Sequence, residues 1–536
     1  MRDFRAPPSL FRSHDMKQSK NALRAGAFSV SLTGLDAHLV RIETTITQAP
    51  ASFEIIGLSE ARQREPRIRV CAALQQLNVD LHQHGVSVRV GPEEVASSGT
   101  FDVPMALTIL AALERIATAS LEDVVILGEL SLGGAIRPVR GVLPSLRGAI
   151  AHGITRAIVP KANAREAARV PGIRVLVADQ LVELVRYFRE DVPLESAGEP
   201  PPLPGVPPAA APDLADLRGM HAARRAMEIA AAGGHHLLLM GPPGAGKTSL
   251  ARRMPGILPP LSLEEATKVT SVYSVAGLLM PDVGFVGTRP FRAPHHTVSG
   301  VGLVGGGEPV RPGEVSLAHH GVLFLDELLE FRSSVLETLR QPLDEGSVTV
   351  TRGRTRTTFP AQTLVVAAIN PCPCGFAGDY ARRCVCSPER LRAYRARLSD
   401  QLFDRFDVQV ALPPVDVAAL QSRSKDEPSC EVQKRVIAAR AAQEERARAG
   451  ATGRSNAQLS PGEIEQVATP DPAGARVLAE ATERLGFSAA VYSRVLRVAR
   501  TIADLDGSDG IHARHVAEAV HAVLLPPRGT AATPLA

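Results

Sequence analysis

Hydrophobic residues follow two alternating patterns over the first third of the chain. From residue 27 to residue 190, short β-rich runs such as FSVSLTG and VSVRVGP alternate with stretches whose apolar residues recur at helical spacing, such as PMALTILAALERI. Such alternation is typical of a compact α/β or α+β domain. We therefore predict a first domain over residues 27–190. Residues 1–26 are polar and aperiodic, and we expect a disordered leader there.

A proline-rich segment, GEPPPLPGVPPAAAP, separates this domain from the next. It lacks the apolar pattern needed for packing, so we predict an extended linker over residues 191–213. Beyond it, continuous apolar runs recur as HLLLM, VLFL and TLVVAAI. Runs of this kind suit the strands of a parallel sheet that is covered on both faces. The sequence therefore predicts an α/β core over residues 214–414.

The strand pattern stops after this core. Segments such as VQKRVIAARAAQEERARA and AAVYSRVLRVARTIADL carry apolar residues at helical spacing, so we predict an all-helical module over residues 415–524. The final segment, residues 525–536, is rich in proline and small residues, and we expect a disordered tail.

The composition of the 536 residues narrows the class of protein. Hydrophobic residues make up 45% and charged residues 22%, as in globular proteins, and no apolar run approaches the roughly 20 residues that cross a bilayer. The N-terminus has no apolar signal segment, so we expect a cytoplasmic protein with no membrane partner and with reduced cysteines. The net charge of +4 is too small to indicate nucleic-acid binding by the whole surface, so any DNA-binding surface must be a local group of basic residues.

A phosphate-binding motif, GPPGAGKTS, follows the first apolar strand of the core and matches a P-loop in full. Its glycines leave backbone N–H groups free to surround phosphates, Lys247 reaches the β and γ oxygens, and Thr248 is a ligand for Mg²⁺. The motif predicts a site for ATP with Mg²⁺. The predicted nucleotide-binding residues are Gly241, Pro242, Pro243, Gly244, Ala245, Gly246, Lys247, Thr248 and Ser249.

Two further apolar strands end in polar residues that suit the same chemistry. VLFL is followed by Asp326, which can hold Mg²⁺, and by Glu327, which can polarise the attacking water. TLVVAAI ends at Asn370, whose neutral amide can hold that water without adding charge. The alternatives are an ordinary polar strand end for the two carboxylates and a turn-forming asparagine before Pro371.

These motifs resemble those of AAA+ ATPases and, within them, the magnesium-chelatase-like ATPases of the ComM (YifB) family. The resemblance covers about residues 27–523 and is carried by GPPGAGKT, RPFRAPHHTVS, RPGEVSLAHHGVLFLDEL and AAINPCPCG. It implies an AAA+ P-loop parallel sheet with a helical lid, in which Asn370 is sensor 1.

The same resemblance assigns roles to arginines in the second half of the chain. Arg405 resembles the arginine finger that reaches the neighbouring subunit's ATP, and Arg494 resembles the sensor 2 of the lid, with Arg497 as a second candidate. The alternative for Arg405 and Arg494 is a surface salt bridge. A site completed by a neighbouring chain requires a head-to-tail interface, so a homo-hexameric ring is expected.

Four of the six cysteines form a compact pattern, Cys372-x-Cys374 and Cys384-x-Cys386. Four neighbouring thiolates suit tetrahedral Zn²⁺, although the C-x-C spacing is tighter than the usual C-x₂-C. We predict a structural zinc site, which the family resemblance supports. Reduced thiols without a metal and disulfides are the alternatives.

Two groups of arginines are candidates for contact with DNA. The apparent hairpin SVTVTRGRTRTTF carries Arg352, Arg354 and Arg356 near its tip, and the corresponding hairpin of MCM-like AAA+ rings, which it resembles, touches DNA in the central pore. A second basic run lies between residues 382 and 397. The alternatives are an exposed hairpin protected by its charge and, for the basic run, a subunit interface or a solvated face.

Two other features lie between the P-loop and Asp326. The glycine-rich insertion SGVGLVGGGEPVRPGE is a further candidate for the pore. The histidine pairs His295–His296 and His319–His320 lack a metal-ligand pattern, and we interpret them as structural.

The first domain contains ILGELSLGGAIRPVRGVLPSLRGAIAHGITRAIVPKANAREA, which resembles the α+β Lon-protease-like domain of this family. A Lon-type site needs a serine nucleophile and a lysine base. Arg140 to Leu143 stand where active Lon enzymes have their lysine motif, and the next lysine is Lys161. We therefore predict a Lon-like domain without a catalytic dyad, serving assembly or DNA handling.

Our leading hypothesis is a hexameric AAA+ motor that hydrolyses ATP to move on single-stranded or branched DNA. By resemblance it would be a branch-migration helicase in recombination or natural transformation. The alternative is a chelatase-like or protein-remodelling ATPase that acts on a protein partner. Against it, the chain lacks the D-x-S-x-S adhesion motif that accompanies chelatase action.

Overall fold

The computed structural model describes residues 23–48, 50–92, 99–200, 212–353, 355–377, 382–397, 399–413, 426–450 and 455–524. The chain divides into two compact units. The first runs up to Pro200 and includes Met280–Gly284, and the second comprises the rest of the chain. No helix in these described ranges is both long enough and apolar enough to cross a membrane.

The first unit is built on an eight-stranded mixed sheet of order β10-β9-β8-β5-β1-β2-β4-β3. The two long strands β1 and β2 pair antiparallel, whereas β5, β8 and β9 run parallel to one another. A separate two-stranded ladder joins β6 and β7. The strands are β1 (Leu23–Thr33), β2 (Asp36–Thr47), β3 (Ser52–Ile56), β4 (Gly85–Gly91), β5 (Val124–Ile126), β6 (Glu129–Leu130), β7 (Ile136–Arg137), β8 (Arg156–Pro160), β9 (Arg174–Ala178) and β10 (Glu195–Ser196).

The first unit extends beyond its predicted boundaries at both ends. Strand β1 begins at Leu23, so residues 23–26 belong to the sheet and not to the predicted leader, residues 1–26. Ala25 and Ala27 are buried while Arg24 is exposed, which is the alternation of a strand with one covered face. Strand β10, which pairs with β9, lies inside the predicted linker, residues 191–213. Both segments lack the β-branched residues by which the other strands were recognised. Residues 1–22 and 201–211 lie outside the described residues, as does the predicted tail.

Helices cover the sheet of the first unit. Every residue of α2 is buried, because its run of Val, Met, Leu and Ile has no polar face. Helix α1 contains Pro66. The helices are α1 (Glu60–Gln76), α2 (Asp102–Ala112), α3 (Val142–Ala151), α4 (Ala164–Ala167) and α5 (Leu181–Glu190).

The second unit contains the predicted parallel sheet, with strand order β12-β15-β18-β11-β19. All four junctions between neighbouring strands are parallel. The three apolar runs of the sequence are the central strands, and their side chains are buried along almost their whole length, as expected for a sheet covered on both faces. The strands are β11 (Leu237–Met240), β12 (Phe291–Arg292), β15 (Val322–Leu325), β18 (Leu364–Ile369) and β19 (Val408–Ala411).

Two small hairpins project from this core. One is formed by β13 (Gly305–Gly306) and β14 (Arg311–Pro312) in the glycine-rich insertion, and the other by β16 (Ser347–Arg352) and β17 (Thr355–Pro360). The second is the hairpin that the alternating SVTVTRGRTRTTF pattern predicted. The core helices are α6 (His221–Gly233), α7 (Lys247–Ala251), α8 (Met254–Ile257), α9 (Leu263–Ala276), α10 (Gly300–Val304), α11 (Glu314–Leu317), α12 (Ser333–Glu337), α13 (Arg340–Glu345), α14 (Pro388–Arg395) and α15 (Asp400–Phe403).

The last part of the described chain is helical. Buried Val, Ala and Ile side chains of these helices share one hydrophobic core with α6 and with β11. His235 connects the layers, because its ring nitrogens lie 2.9 Å from Asp407 Oδ2 and 2.8 Å from Thr501 Oγ1. The helices are α16 (Ser429–Arg448), α17 (Pro461–Val467), α18 (Pro472–Leu485), α19 (Ala489–Leu505) and α20 (Ala513–Val523).

Candidate functional site

The P-loop leaves the carboxyl end of β11 and turns into α7. Gly244 and Gly246 have φ angles of +81° and +83°, a left-handed conformation that favours glycine. A side chain at Gly241 is excluded, because its Cβ would lie 2.9 Å from the carbonyl oxygen of Leu412. Since the loop carries no bulky side chain at these turns, its backbone N–H groups can approach a phosphate chain closely.

Lys247 connects the P-loop to the end of β18. Its Nζ donates hydrogen bonds to the carbonyl oxygens of Gly241 (2.6 Å) and Pro242 (2.9 Å) and to Oδ1 of Asn370 (3.0 Å). The side chain is largely buried, with 8% of the residue exposed. Burial lowers the pKa of Lys247, and the nearby carboxylates of Asp326 and Glu327 oppose this shift. The Lys247 ammonium is therefore bound by three neutral oxygen atoms, which phosphate oxygens can replace.

The carboxylates follow β15, next to β18. The Thr248 hydroxyl donates a hydrogen bond of 2.8 Å to Asp326 Oδ2, so two oxygen ligands of the kind that Mg²⁺ prefers already lie together. Glu327 has a φ of +51°, and its N–H donates to Asp326 Oδ1 at 3.0 Å. The chain therefore turns sharply directly after Asp326.

The sheet topology explains why these residues meet. Strands β11, β18 and β15 are adjacent and parallel, so their carboxyl ends lie at one edge of the sheet. The structure thus brings together the five predicted residues Lys247, Thr248, Asp326, Glu327 and Asn370. A cation, a hydroxyl, two carboxylates and an amide form a donor set that fits a magnesium-bound nucleoside triphosphate.

Arg494 lies at the opposite edge of the same sheet. Its Nη2 donates to the carbonyl oxygen of Asp404 (2.8 Å) and to Asp404 Oδ1 (3.1 Å), and its Nε lies 3.7 Å from Asp407 Oδ1. Both aspartates precede β19, which runs parallel to β11, so they lie at the amino edge of the sheet and away from the P-loop of the same chain. Only 4% of Arg494 is exposed, so it is not a surface salt bridge.

Arg405 belongs to the same edge. Its Nη1 pairs with Asp344 Oδ1, and its side chain is 41% exposed. Arg497 donates to the carbonyl oxygen of Leu459 at 3.0 Å. Arg405 and Arg497 both line a cavity of about 1450 Å³ at this edge. The structure therefore separates these three predicted arginines from the ATP-site residues of their own chain.

A histidine that the sequence interpretation called structural lies beside the ATP site. His296 Nδ1 is 3.6 Å from Glu327 Oε2, and its ring lies 4.1 Å from the ring of His295. No sequence pattern indicated this position, because it depends on the pairing of β12, four residues before His296, with β15. The pair His319 and His320 is packed ring to ring at 3.9 Å, and burial lowers the pKa of His319 to about 3.

The four clustered cysteines converge. Their Sγ atoms all lie within 4.8 Å of one another. Cys372 Sγ is 3.3 Å from Cys374 Sγ and 3.6 Å from Cys384 Sγ, and Cys374 Sγ is also 3.6 Å from Cys384 Sγ. The N–H of Ala377 donates to Cys372 Sγ at 3.2 Å. Hydrogen bonds from the backbone of Phe376 and Val385 lower the pKa of Cys374 to about 6. These thiols can hold a metal ion.

The candidate DNA-binding arginines are placed differently from one another. Arg352, at the end of β16, donates to the carbonyl oxygen of Gly307 and, at 2.7 Å, to Glu308 Oε2 in the other hairpin. Arg356 is exposed on β17. Arg354 lies outside the described residues. In the second basic run, Arg397 pairs with Glu330 at 3.0 Å, so at least one cation of that run is already neutralised.

In the first unit, the lysine of the Lon-like segment is engaged elsewhere. Lys161 Nζ pairs with Glu195 Oε2 at 2.8 Å. Arg140, which stands at the position of the active enzymes' lysine motif, is exposed.

Both units match families of known proteins. The family model "Magnesium chelatase, subunit ChlI" matches residues 213–420, its C-terminal counterpart matches residues 426–522, and "Subunit ChlI of Mg-chelatase" matches residues 42–163. Competence protein ComM of Haemophilus influenzae is 38% identical over 500 residues, which cover 92% of this chain and 96% of that protein. An uncharacterized protein of Mycobacterium tuberculosis is 40% identical over 483 residues, covering 90% and 95% of the two chains. The archaeal Lon protease of Pyrococcus abyssi is 30% identical over 140 residues, 22% of this chain and 13% of that protein.

Proposed function

Because the chain belongs to the ComM family of magnesium-chelatase-like AAA+ ATPases, we propose that it is a ring-forming motor that hydrolyses ATP to move on DNA. The observation that carries the ATPase part is the meeting of Lys247, Thr248, Asp326, Glu327 and Asn370 at the carboxyl edge of the sheet. Support for the DNA part is the exposed Arg356 and the half-exposed Arg352 on one hairpin. The name of the Haemophilus relative, a competence protein, agrees with it.

Each residue of the site has a role in this proposal. Thr248 and Asp326 would hold Mg²⁺, which when bound neutralises the negative charge of the β and γ phosphates. Lys247 exchanges the carbonyls of Gly241 and Pro242 for phosphate oxygens. Glu327 accepts a proton from the attacking water, and Asn370 orients that water through its amide.

We propose further that the site is completed by a second copy of the chain. Arg405, Arg494 and Arg497 belong to the amino edge of the sheet, so within one chain they are remote from the phosphates. A neighbouring copy placed head to tail would bring the exposed guanidinium group of Arg405 to the γ-phosphate, with the buried Arg494 behind it bonded to Asp404, and repetition of that contact closes a ring, which we propose to be a hexamer. The four cysteines would hold a structural Zn²⁺ beside the sensor residue Asn370.

The decisive experiment compares ATP hydrolysis by the wild type and by Glu327→Gln. The variant should bind ATP as tightly as the wild type and hydrolyse it about 10²- to 10⁴-fold more slowly, the range for loss of a general base. Glu330→Gln, a nearby carboxylate that pairs with Arg397, is the matched control and should keep normal turnover. If Glu327→Gln hydrolysed ATP at the wild-type rate, Glu327 would not be the general base.

The DNA part is tested by the same assay with and without single-stranded and branched DNA. We expect DNA to raise the rate, and the double substitution Arg352→Ala, Arg356→Ala to weaken DNA binding and reduce its salt dependence by about one unit of slope per lost phosphate contact. Arg476→Ala changes an exposed arginine on the lid helix α18 and should have no effect. A rate that does not respond to DNA would favour action on a protein partner.

A further inference from the structure

The segment that carries the four clustered cysteines is attached to Asn370 at both ends. Its first arm, residues 372–377, begins two residues after Asn370. Its second arm, residues 382–386, leads into α14, and near the end of that helix the Tyr394 hydroxyl accepts a hydrogen bond from the backbone of Asn370. The two arms, which we call the cysteine segment, therefore leave from and return to the residue that we propose to orient the attacking water.

Tyr394 is held firmly against the end of β18. It is buried in one hydrophobic cluster with Ile369 and Leu328. Burial raises the pKa of its phenol to about 12, although the hydrogen bond from the Asn370 backbone opposes this shift. A buried hydroxyl needs a hydrogen-bond partner, so α14 cannot move away without breaking this bond or moving Asn370. Asn370 in turn accepts the hydrogen bond from Lys247 Nζ at 3.0 Å.

The first arm also packs against the P-loop. Gly375 has a φ of +84°, and its N–H donates a hydrogen bond of 2.9 Å to the carbonyl oxygen of Cys372, which closes a turn. A Cβ on Gly375 would lie 2.7 Å from Pro243 Cγ, and the three atoms nearest to that Cβ, apart from its chain neighbours, all belong to Pro243. Pro243 directly precedes Gly244, which forms the left-handed turn of the phosphate-binding loop. The first arm therefore limits how far the P-loop can move outward.

The contacts that join the two arms are weak without a metal ion. The Sγ atoms of Cys372 and Cys374, in the first arm, each lie 3.6 Å from Cys384 Sγ in the second. The guanidinium group of Arg382, an exposed residue, lies 5.1 Å from the ring centre of Phe376. A cation–π contact at an exposed site contributes little, whereas four metal–sulfur bonds join their ligands firmly. Metal binding by the four thiolates would therefore make the two arms act as one body.

We infer that the cysteine segment supports the ATP site, and that zinc bound by its thiolates and ATP bound by the P-loop strengthen each other's binding. With the arms joined, Gly375 restrains Pro243, and Tyr394 is a positioning residue that acts through Asn370. A P-loop that is already ordered loses less freedom when ATP binds, so its affinity for ATP is higher. This inference rests on the proposed binding of ATP and zinc and deepens it, because it makes a metal ion the regulator of nucleotide affinity.

The test compares the Kd for a non-hydrolysable ATP analogue, measured by calorimetry with Mg²⁺, in zinc-loaded and zinc-free protein. Zinc is removed with a chelator, and the chelator is removed before Mg²⁺ is added. We define the coupling factor as the Kd without zinc divided by the Kd with zinc. For the wild type we expect a factor of about 5 to 100, the usual range for coupled sites, and restoration of the original affinity when zinc is added back. Because coupling is reciprocal, the analogue should raise the affinity for zinc by the same factor.

Two substitutions test the contacts that carry the coupling. Pro243→Ala removes the ring atoms that face Gly375 and should reduce the coupling factor towards unity while the zinc content stays unchanged. Pro242→Ala is the matched control, because it alters the adjacent proline of the same loop, whose atoms are not among those nearest to a Gly375 Cβ. Tyr394→Phe keeps the ring, loses the hydroxyl and should also reduce the factor. Each factor is a ratio for one variant, so the direct effect of the substitution on ATP binding cancels.

Several outcomes would overturn the inference. Equal affinity for the analogue with and without zinc in the wild type would refute it, and so would a Pro242→Ala variant that loses as much coupling as Pro243→Ala. An unchanged factor in Tyr394→Phe would refute the positioning role of Tyr394. Should the zinc-free protein unfold, as shown by circular dichroism, the rate of zinc transfer to a chelating dye replaces the affinities. A saturating analogue should then slow this transfer more in the wild type than in Pro243→Ala, and equal slowing would refute the inference.

The design separates this inference from the proposed function. A wild type that binds neither ATP nor the analogue refutes the proposed ATP site. A wild type that hydrolyses ATP but carries no zinc refutes the zinc site and, with it, the inference. A wild type that binds both ligands with a coupling factor of unity refutes the inference alone and leaves the proposed ATPase function intact.

Discussion

The sulfur–sulfur distances in the four-cysteine cluster can be compared directly with those that zinc binding requires. Tetrahedral zinc with Zn–S bonds of about 2.3 Å requires sulfur atoms about 3.8 Å apart. The Sγ atoms of Cys372, Cys374 and Cys384 are separated by 3.3, 3.6 and 3.6 Å, and Cys386 Sγ lies within 4.8 Å of each of them. Binding therefore needs shifts of only a few tenths of an ångström for Cys372, Cys374 and Cys384.

The four thiols differ in how easily they lose a proton. Backbone hydrogen bonds lower the pKa of Cys374 to about 6, whereas desolvation and the neighbouring thiols raise the pKa of Cys384 to about 12, and desolvation raises that of Cys386. Structural Zn²⁺ in four-ligand sites contributes about 10–16 kcal/mol of apparent binding free energy. We expect the purified protein to contain about one zinc ion per chain, and a chelator to lower its melting temperature.

Replacement of Cys372 and Cys384 by Ser provides the test. Metal analysis should show loss of zinc from this variant, since only two thiolates remain, and the chelator should no longer change its melting temperature. Cys430→Ser is the matched control, because Cys430 is an exposed cysteine outside the cluster and its replacement should leave the zinc content unchanged. A wild type that carries no metal when purified from zinc-containing medium would refute the reasoning.

Two further predictions concern assembly and pH. Arg405→Ala and Lys247→Ala should each lose ATPase activity, by about 10³-fold or more for the arginine. A mixture of the two variants should regain activity, because the Lys247→Ala chains supply Arg405 to the intact ATP sites of the Arg405→Ala chains. A mixture as inactive as its components would contradict completion by a neighbour. Burial lowers the pKa of His236 to about 4 and that of His319 to about 3, so the unfolded chain binds more protons below about pH 6.5. Stability should therefore fall as the pH drops from about 7 towards about 4, as measured by melting temperature, and His319→Gln should show a smaller fall.

The ATP site was predictable because each of its parts has a local signature. The P-loop occupies consecutive residues, and Asp326, Glu327 and Asn370 each end an apolar strand. Once those strands are placed side by side in a parallel sheet, their ends must meet at one edge. The fold class followed from the same apolar runs, and the family comparisons confirmed it.

The parts that sequence patterns did not reveal depend on contacts between distant elements. The position of Arg494 against Asp404 and Asp407 joins a lid helix to the start of β19, and nothing in the helical pattern of α19 indicates which end of the sheet it faces. His296 belongs to the loop between β12 and α10, and its distance of 3.6 Å from Glu327 Oε2 joins two segments that are far apart in sequence. The boundaries of the first unit were also misjudged, because β10 is exposed and only two residues long.

The separation of the two edges underlies our proposal that a second copy of the chain completes the site. Strand β11 has four residues between His236 at the amino edge and Gly241 at the carboxyl edge, a distance of about 13 Å along the strand. The Arg494 side chain, which is bonded to Asp404, cannot cross that distance while the lid keeps its buried contacts, because α19 shares its core with β11. We therefore propose that the arginine charge at the γ position, which adds to that of Lys247, comes from another copy through a head-to-tail contact. In the ring that we propose, every copy both receives and supplies these arginines.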